Sequence, residues 1–256
     1  MKHERHPRST LRSVFSIALM TILAAPTFAD VSRTALSTAA RAELVRVLTD
    51  AASRRDFVGV HAGEALVDLA LPELARKTFE PQADSTEPKY RIGVWRIMAR
   101  VKSDKAHRAR YVERIRAVLM DEHAVDRVHA IETLAKLEEP ITGDAERRAV
   151  DAMAKDPAAG PFALWRLVQA GDASAMDRLT ACLTGDDEIG QARAAYVLKW
   201  LRGPAQTRPS ATDAAAERER MERQLASDDE DARVTAALAL LRLDEQARAA
   251  TTRPRN

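Results

Sequence analysis

Val60 to Leu69 reads VHAGEALVDL, and Val128 to Leu137 reads VHAIETLAKL. Six of the ten positions are identical, among them a His and a Glu three residues apart in each copy. Two readings compete. A His-x-x-Glu pair on a helix can ligate a metal, and two copies would supply four ligands. Alternatively the chain repeats itself architecturally, and the 68-residue interval favours this second reading. It equals two periods of 34, so a helix of the same kind should end near residue 103. YRIGVWRIMARV ends at Val101, GPFALWRLVQAG carries its last large apolar residue at Val168, EIGQARAAYVLKWL ends at Leu201, and DARVTAALALLRL ends at Leu243. The six ends at 69, 101, 137, 168, 201 and 243 are spaced by 32, 36, 31, 33 and 42 residues.

Most of these helices follow a more polar amphipathic segment, such as TAARAELVRVLTDAA, AHRARYVERIRAVLMD, DAERRAVDAMAKD or AAAERERMERQLAS. The breaks carry helix-stop and helix-start residues, including TGD at 142, AGD at 170 and a capping box from Ser227 to Glu230. Asp186-Asp187 and Asp228-Asp229 also read as caps. Aromatics are 4% of the chain and no stretch alternates like a strand, so the composition is all-helical. Paired helices at this period predict an α-solenoid. VHAGEALVDL, VHAIETLAKL and DEDARVTAALALLRL resemble the inner helices of HEAT repeats, especially the short type of the phycobilin lyases. That resemblance covers most of residues 36–244 and implies a right-handed α-α superhelix of about six helix pairs. In that family Arg is preferred where His61 and His129 stand. GPAQTRPSATD, from Gly203 to Asp213, and EPQADSTEPK, from Glu80 to Lys89, read as loops.

At about 100° per residue, His61, Glu64 and Asp68 form one narrow polar stripe on an otherwise apolar helix. His129, Glu132 and Lys136 repeat it, and the stripes should line the concave surface. Helices two repeats apart lie on the order of 20 Å from each other, so the two His-Glu pairs should not share a metal. No metal and no cofactor is therefore expected. The helix between them places Arg96 and Arg100 in register with Glu64 and Asp68. An ion-pair ladder follows, Glu64 to Arg96 to Glu132, with Asp68 to Arg100 as a second rung. Exposed pairs contribute only about 0–1 kcal/mol each, so the ladder should set register rather than stability. Arg166, beside Trp165, extends the candidate stripe.

Trp95, Trp165 and Trp200 read as gap-filling core residues, with an aromatic platform for a glycan as the competing use. Two or more exposed indoles would favour the platform. Cys182, the sole cysteine, reads as a small core residue. His107 and His123 should face solvent. The chain holds no Gly-rich phosphate loop, Gly-x-Ser-x-Gly elbow, His-Glu-x-x-His or Cys-x-x-Cys, which argues against an enzyme.

At the amino end, Lys2, Arg5, Arg8 and Arg12 precede VFSIALMTILAA and PTFA, the pattern of a signal peptide cut after Ala29. That leader carries +3 of the chain's +2 charge, leaving −1 for the rest and no bulk positive charge to recruit nucleic acid. The expected organisation is a signal peptide (1–29), a repeat domain (30–244) and an unstructured tail (245–256). The chain should be exported to the periplasm or secreted, with no membrane span once the leader is cut. It should act as a scaffold for a protein partner. A bilin-lyase-like subunit and a glycan-binding module are the alternatives.

Overall fold

A computed structural model describes residues 35–101, 104–202 and 211–252. The leader, most of the Gly203–Asp213 stretch and residues 253–256 lie outside the described residues. Among those described the fold is all-α, with twelve α-helices and no strand. They are α1 (Thr38–Ala52), α2 (Phe57–Asp68), α3 (Pro72–Phe79), α4 (Pro88–Arg100), α5 (Lys105–Met120), α6 (Arg127–Lys136), α7 (Gly143–Met153), α8 (Gly160–Gln169), α9 (Ala173–Ala181), α10 (Glu188–Arg202), α11 (Ala211–Leu225) and α12 (Glu230–Thr252). Glu80–Gln82 forms a 3-10 turn within the first expected loop. No described helix is long and apolar enough to cross a membrane.

Short polar side chains start the helices by accepting orphan backbone N–H groups. Ser37, Asp56, Asp104 and Asp172 cap α1, α2, α5 and α9 in this way. Asp187 accepts from Gly190 at the start of α10. Proline opens α3 and α4, where its missing N–H costs nothing. The capping box expected from Ser227 to Glu230 does not form. Asp229 accepts from Asp231 instead, at 3.0 Å, and the Glu230 side chain reaches across to Arg54.

Helices α2, α6 and α8 stop alike. Ala70, Glu138 and Gly171 take positive φ of 56°, 55° and 80°. The next residue's N–H then bonds five residues back: Leu71 to Leu66, Glu139 to Leu134 and Asp172 to Leu167. This Schellman geometry suits glycine, yet two of its three copies use a residue with a side chain. The left-handed conformation costs such a residue about 1–2 kcal/mol, against about 0.5–1 kcal/mol for glycine's extra chain entropy. Ala70→Gly and Glu138→Gly are therefore each expected to raise stability by roughly 0.5–1 kcal/mol, read as a higher urea midpoint at unchanged slope. A lower midpoint in both would remove the argument.

The even-numbered helices stack in order, α2 on α4, α4 on α6, α6 on α8 and α8 on α10. The odd-numbered helices lie against them, and leucine, isoleucine and phenylalanine side chains such as Leu48, Leu66, Phe79, Ile97, Ile115 and Leu134 are fully buried. Close approach is built in at α2 and α4: a Cβ on Gly93 would sit 2.6 Å from both methyls of Val60.

The sixth pair departs from sequence order. α12 packs on α1 and α2, while Met176 of α9, Leu183 of the 3-10 turn that follows it and Ile189 of α10 stay exposed. Asp244 anchors it, accepting from the Leu36 N–H at 2.6 Å and from Arg41 at 2.9 Å. The helix continues past 244 through Thr252, where the sequence pattern suggests an unstructured tail. Arg248 holds this extension, bonding Asp244 and the Leu36 carbonyl at 2.9 Å each. Cys182 is half-buried at the rim of the core rather than inside it. His107 is also half-buried, with Nε2 at 3.1 Å from the Met98 carbonyl, while His123 is exposed.

Candidate binding cleft

The polar stripe is where the periodicity puts it. On α2, Val60, Ala62, Gly63, Ala65 and Leu66 are buried, while His61 and Asp68 are exposed and Glu64 is half-buried. α4 brings Arg96 and Arg100 beside it, α6 brings His129, Glu132 and Lys136, α10 brings Trp200 and α12 brings Arg242. Two adjoining hollows run across this face. One, of about 160 Å³, is lined by Phe57, His61, Arg96, His129, Glu132 and Lys136, among others. The other, of about 370 Å³, is lined by Glu64, Asp68, Arg96, Arg100, Lys136, Trp200 and Arg242. They share Arg96 and Lys136.

Eight of the nine candidate residues thus meet on one surface. Arg166 does not join them. It is 1% exposed, and its guanidinium turns to Glu146 of α7 at 2.7 Å and to the carbonyls of Leu134 and Glu139. All of α8 from Gly160 to Leu167 is buried, so an arginine there must find its partner inside.

The two His-x-x-Glu segments also come closer than a straight row of helices allows. His61 and His129 line the same hollow, and the Phe57 ring lies 5.5 Å from that of His129. Side chains of the alternate helices α2 and α6 thus meet on this face. Among the described residues, no cluster of three or more His, Cys, Asp or Glu could hold a metal ion.

Half of the expected first rung forms: Arg96 Nε lies 2.5 Å from Glu64 Oε1, but on the other side Arg96 donates to Thr133 Oγ1 at 2.8 Å rather than to Glu132. The second is Arg100 on Asp68 at 2.5 Å. Arg242 binds the other oxygen of Asp68 at 2.6 Å, a partner the sequence spacing could not supply because it comes from the displaced α12. Glu132 bonds Lys136 at 2.9 Å, with His129 at 3.8 Å. The Arg96 side chain is only 8% exposed and Glu64 16%, so this rung is a partly buried pair rather than a surface one. Burial alone would raise the Glu64 carboxyl, but Arg96 and Lys136 outweigh it and hold it below the ordinary range.

Glu132 shows the same balance. Burial pushes its pKa up, while His129, Lys136 and Arg96 pull it down to about 2. A depressed carboxyl stabilises the fold fully above its unfolded pKa and loses that contribution as pH falls towards the folded value. A fall from 4.5 to about 2 corresponds to on the order of 3 kcal/mol, lost between those two pH values. Unfolding free energy measured across that window should fall more steeply in the native chain than in Glu132→Gln. Parallel curves would show that Glu132 is not the group responsible.

Trp95 and Trp165 are core residues, 8% and 3% exposed, and Trp95 Nε1 donates to the Ala83 carbonyl at 2.9 Å. Trp200 is half exposed, at 50%, packed against Trp165 at 5.7 Å and Tyr196 at 6.4 Å, with Lys136 Nζ 6.0 Å from its ring. A single exposed indole falls short of the two that would favour a glycan platform. In comparisons with family models, with curated proteins and with solved structures, none matches this chain.

Proposed function

We propose that this protein is a non-catalytic adaptor: an exported, right-handed HEAT-type superhelix that holds a segment of a protein partner on the face shared by α2, α4, α6, α10 and α12. The observation that carries the reading is the convergence of residues from five helices, Glu64 to Arg242 in sequence, on one open polar cleft beside a half-exposed tryptophan. Exposed aromatic and arginine side chains are the residue types most enriched in protein-binding hot spots. Stacked helix pairs present such a face as an extended surface, which suits a chain-like partner better than a small substrate. The meeting of α2 and α6 side chains in one hollow supports the superhelical reading, and the repeat period supports the HEAT-type assignment.

Placing a photoreactive benzoylphenylalanine at Trp200 tests this directly. Irradiation in a native extract should yield a discrete crosslinked protein. The same residue at the exposed Glu113 of α5, away from the cleft, should yield none. Equal labelling at both positions would overturn the assignment of the cleft.

A further inference from the structure

The cleft carries a particular charge arithmetic, and this inference deepens the adaptor reading and rests on it. Asp68 is spanned by two guanidinium groups, Arg100 on one oxygen and Arg242 on the other. One carboxylate neutralises only one of them. Each guanidinium has five donors and Asp68 engages one from each, so the face turned to the cleft keeps donors to spare. The side chains of Arg100 and Arg242 are 30% and 51% exposed, open to an incoming group. Around them Glu64 is matched by Arg96 and Glu132 by Lys136. Four cations therefore face three carboxylates, which leaves one positive charge.

That surplus discriminates between ligands. A polyphosphate would meet three fixed carboxylates and be repelled, whereas a single carboxylate completes the balance. Arginine pairs bind carboxylates through matched, charge-assisted hydrogen bonds. Trp200 lines the same hollow of about 370 Å³, a volume on the scale of small-ligand pockets, and offers its ring as an apolar wall. We propose that the cleft recognises an acidic–aromatic peptide segment. One Asp or Glu carboxylate of the partner sits between Arg100 and Arg242, and a neighbouring aromatic side chain lies against Trp200. Because Arg242 arrives on α12, the site is complete only when that helix is packed on α2.

A displayed library of random nonapeptides, selected on the full chain, tests the chemistry. Enrichment of an acidic residue next to an aromatic one is the expected result. Enrichment of neutral or basic segments that still compete with the Trp200 photocrosslink would overturn the carboxylate assignment while leaving the adaptor reading intact. Failure of any peptide to enrich, together with loss of site-selective crosslinking, would overturn both. A selected peptide should quench Trp200 fluorescence saturably. Replacing its acid by the amide should weaken binding at least tenfold, as should Arg242→Gln or Arg100→Gln, with Arg223→Gln on the exposed side of α11 leaving binding unchanged. In the combined experiment, the amide peptide should lose no further affinity on Arg242→Gln. Independent, multiplying losses would overturn contact between that carboxylate and Arg242. Thermal melts of each variant separate lost contact from lost fold.

Discussion

Replacing Arg166 by alanine is expected to lower the unfolding free energy by about 3–5 kcal/mol, the range for breaking a buried ion pair by removing one partner. The side chains involved are almost dry, 1% exposed for Arg166 and 5% for Glu146. Arg166 donates to Glu146 Oε1, while the other carboxylate oxygen accepts from the Thr142 N–H at 2.8 Å and its hydroxyl at 2.7 Å. Arg166 also closes the turn after α6 by donating to the Glu139 carbonyl. The residue therefore ties α8 to α7 and to the α6–α7 connection at once. Burial lowers its pKa and Glu146 opposes that shift, so the guanidinium stays charged and its partner offsets the cost of burying it. Alanine would leave the Glu146 carboxylate with Thr142 and a longer pairing to Arg116 at 3.5 Å, and would empty an arginine-sized space in one step. Arg166→Met should cost less, because it retains the volume. Adding Glu146→Leu to Arg166→Met should recover part of the loss by removing a buried carboxylate that has lost its nearest cation. Urea unfolding of the two single variants and the double variant reads this coupling. Strictly additive losses would mean that the two side chains act on stability independently.

Arg166 also marks the boundary between what local pattern reveals and what it does not. Five of the six helix ends read from the repeat, at 69, 101, 137, 168 and 201, fall within one residue of the observed ends at 68, 100, 136, 169 and 202. Periodicity of apolar residues is a local signal, and so is the stripe that it leaves uncovered at His61, Glu64 and Asp68. Pairing at the fixed offset of 32 residues was equally legible, because adjacent repeats put Glu64 beside Arg96 and Asp68 beside Arg100. Partners set by global curvature were not. The meeting of His61 with His129 depends on how tightly the stack bends, and the choice between Trp95 and Trp200 depends on which flank of each helix a neighbour covers. Arg166 could have been found, since the uninterrupted apolar run around it leaves no wet side for its guanidinium. The position of α12 had a weaker signal. Glu230, Asp231 and Asp244 form an acidic set complementary to Arg54, His61 and Arg41, but nothing in either segment alone says that they meet.

That last junction is where the second large effect is expected. Asp244 has no exposed side-chain surface, and it accepts from the Leu36 N–H, Arg41 and Arg248. Its carboxyl lies below the ordinary range, since those donors outweigh the burial that would raise it. Asp244→Ala leaves the Leu36 N–H without its acceptor and takes one acceptor each from Arg41 and Arg248, which keep Glu245 and the Leu36 carbonyl, a loss of about 1–3 kcal/mol at the α12–α1 junction. On the proposed repeat reading the cost should stay local, because stacked repeats depend mainly on their neighbours. Amide exchange should accelerate in α11, α12 and α1, with α5 to α8 nearly as protected as before. Loss spread evenly over the chain would instead make the molecule one cooperative unit, with no separable end pair. The local outcome also reaches the cleft from a distance. Undocking α12 withdraws Arg242 from Asp68, so Asp244→Ala should weaken binding of an acidic peptide as Arg242→Gln does, although Asp244 lies outside the cleft lining. Asp244→Asn, which keeps the shape and part of the hydrogen bonding, should fall between the two in both exchange and binding. Were Asp244→Ala to bind the peptide as tightly as the native chain while α12 exchanged freely, the cleft would have to function without its C-terminal wall.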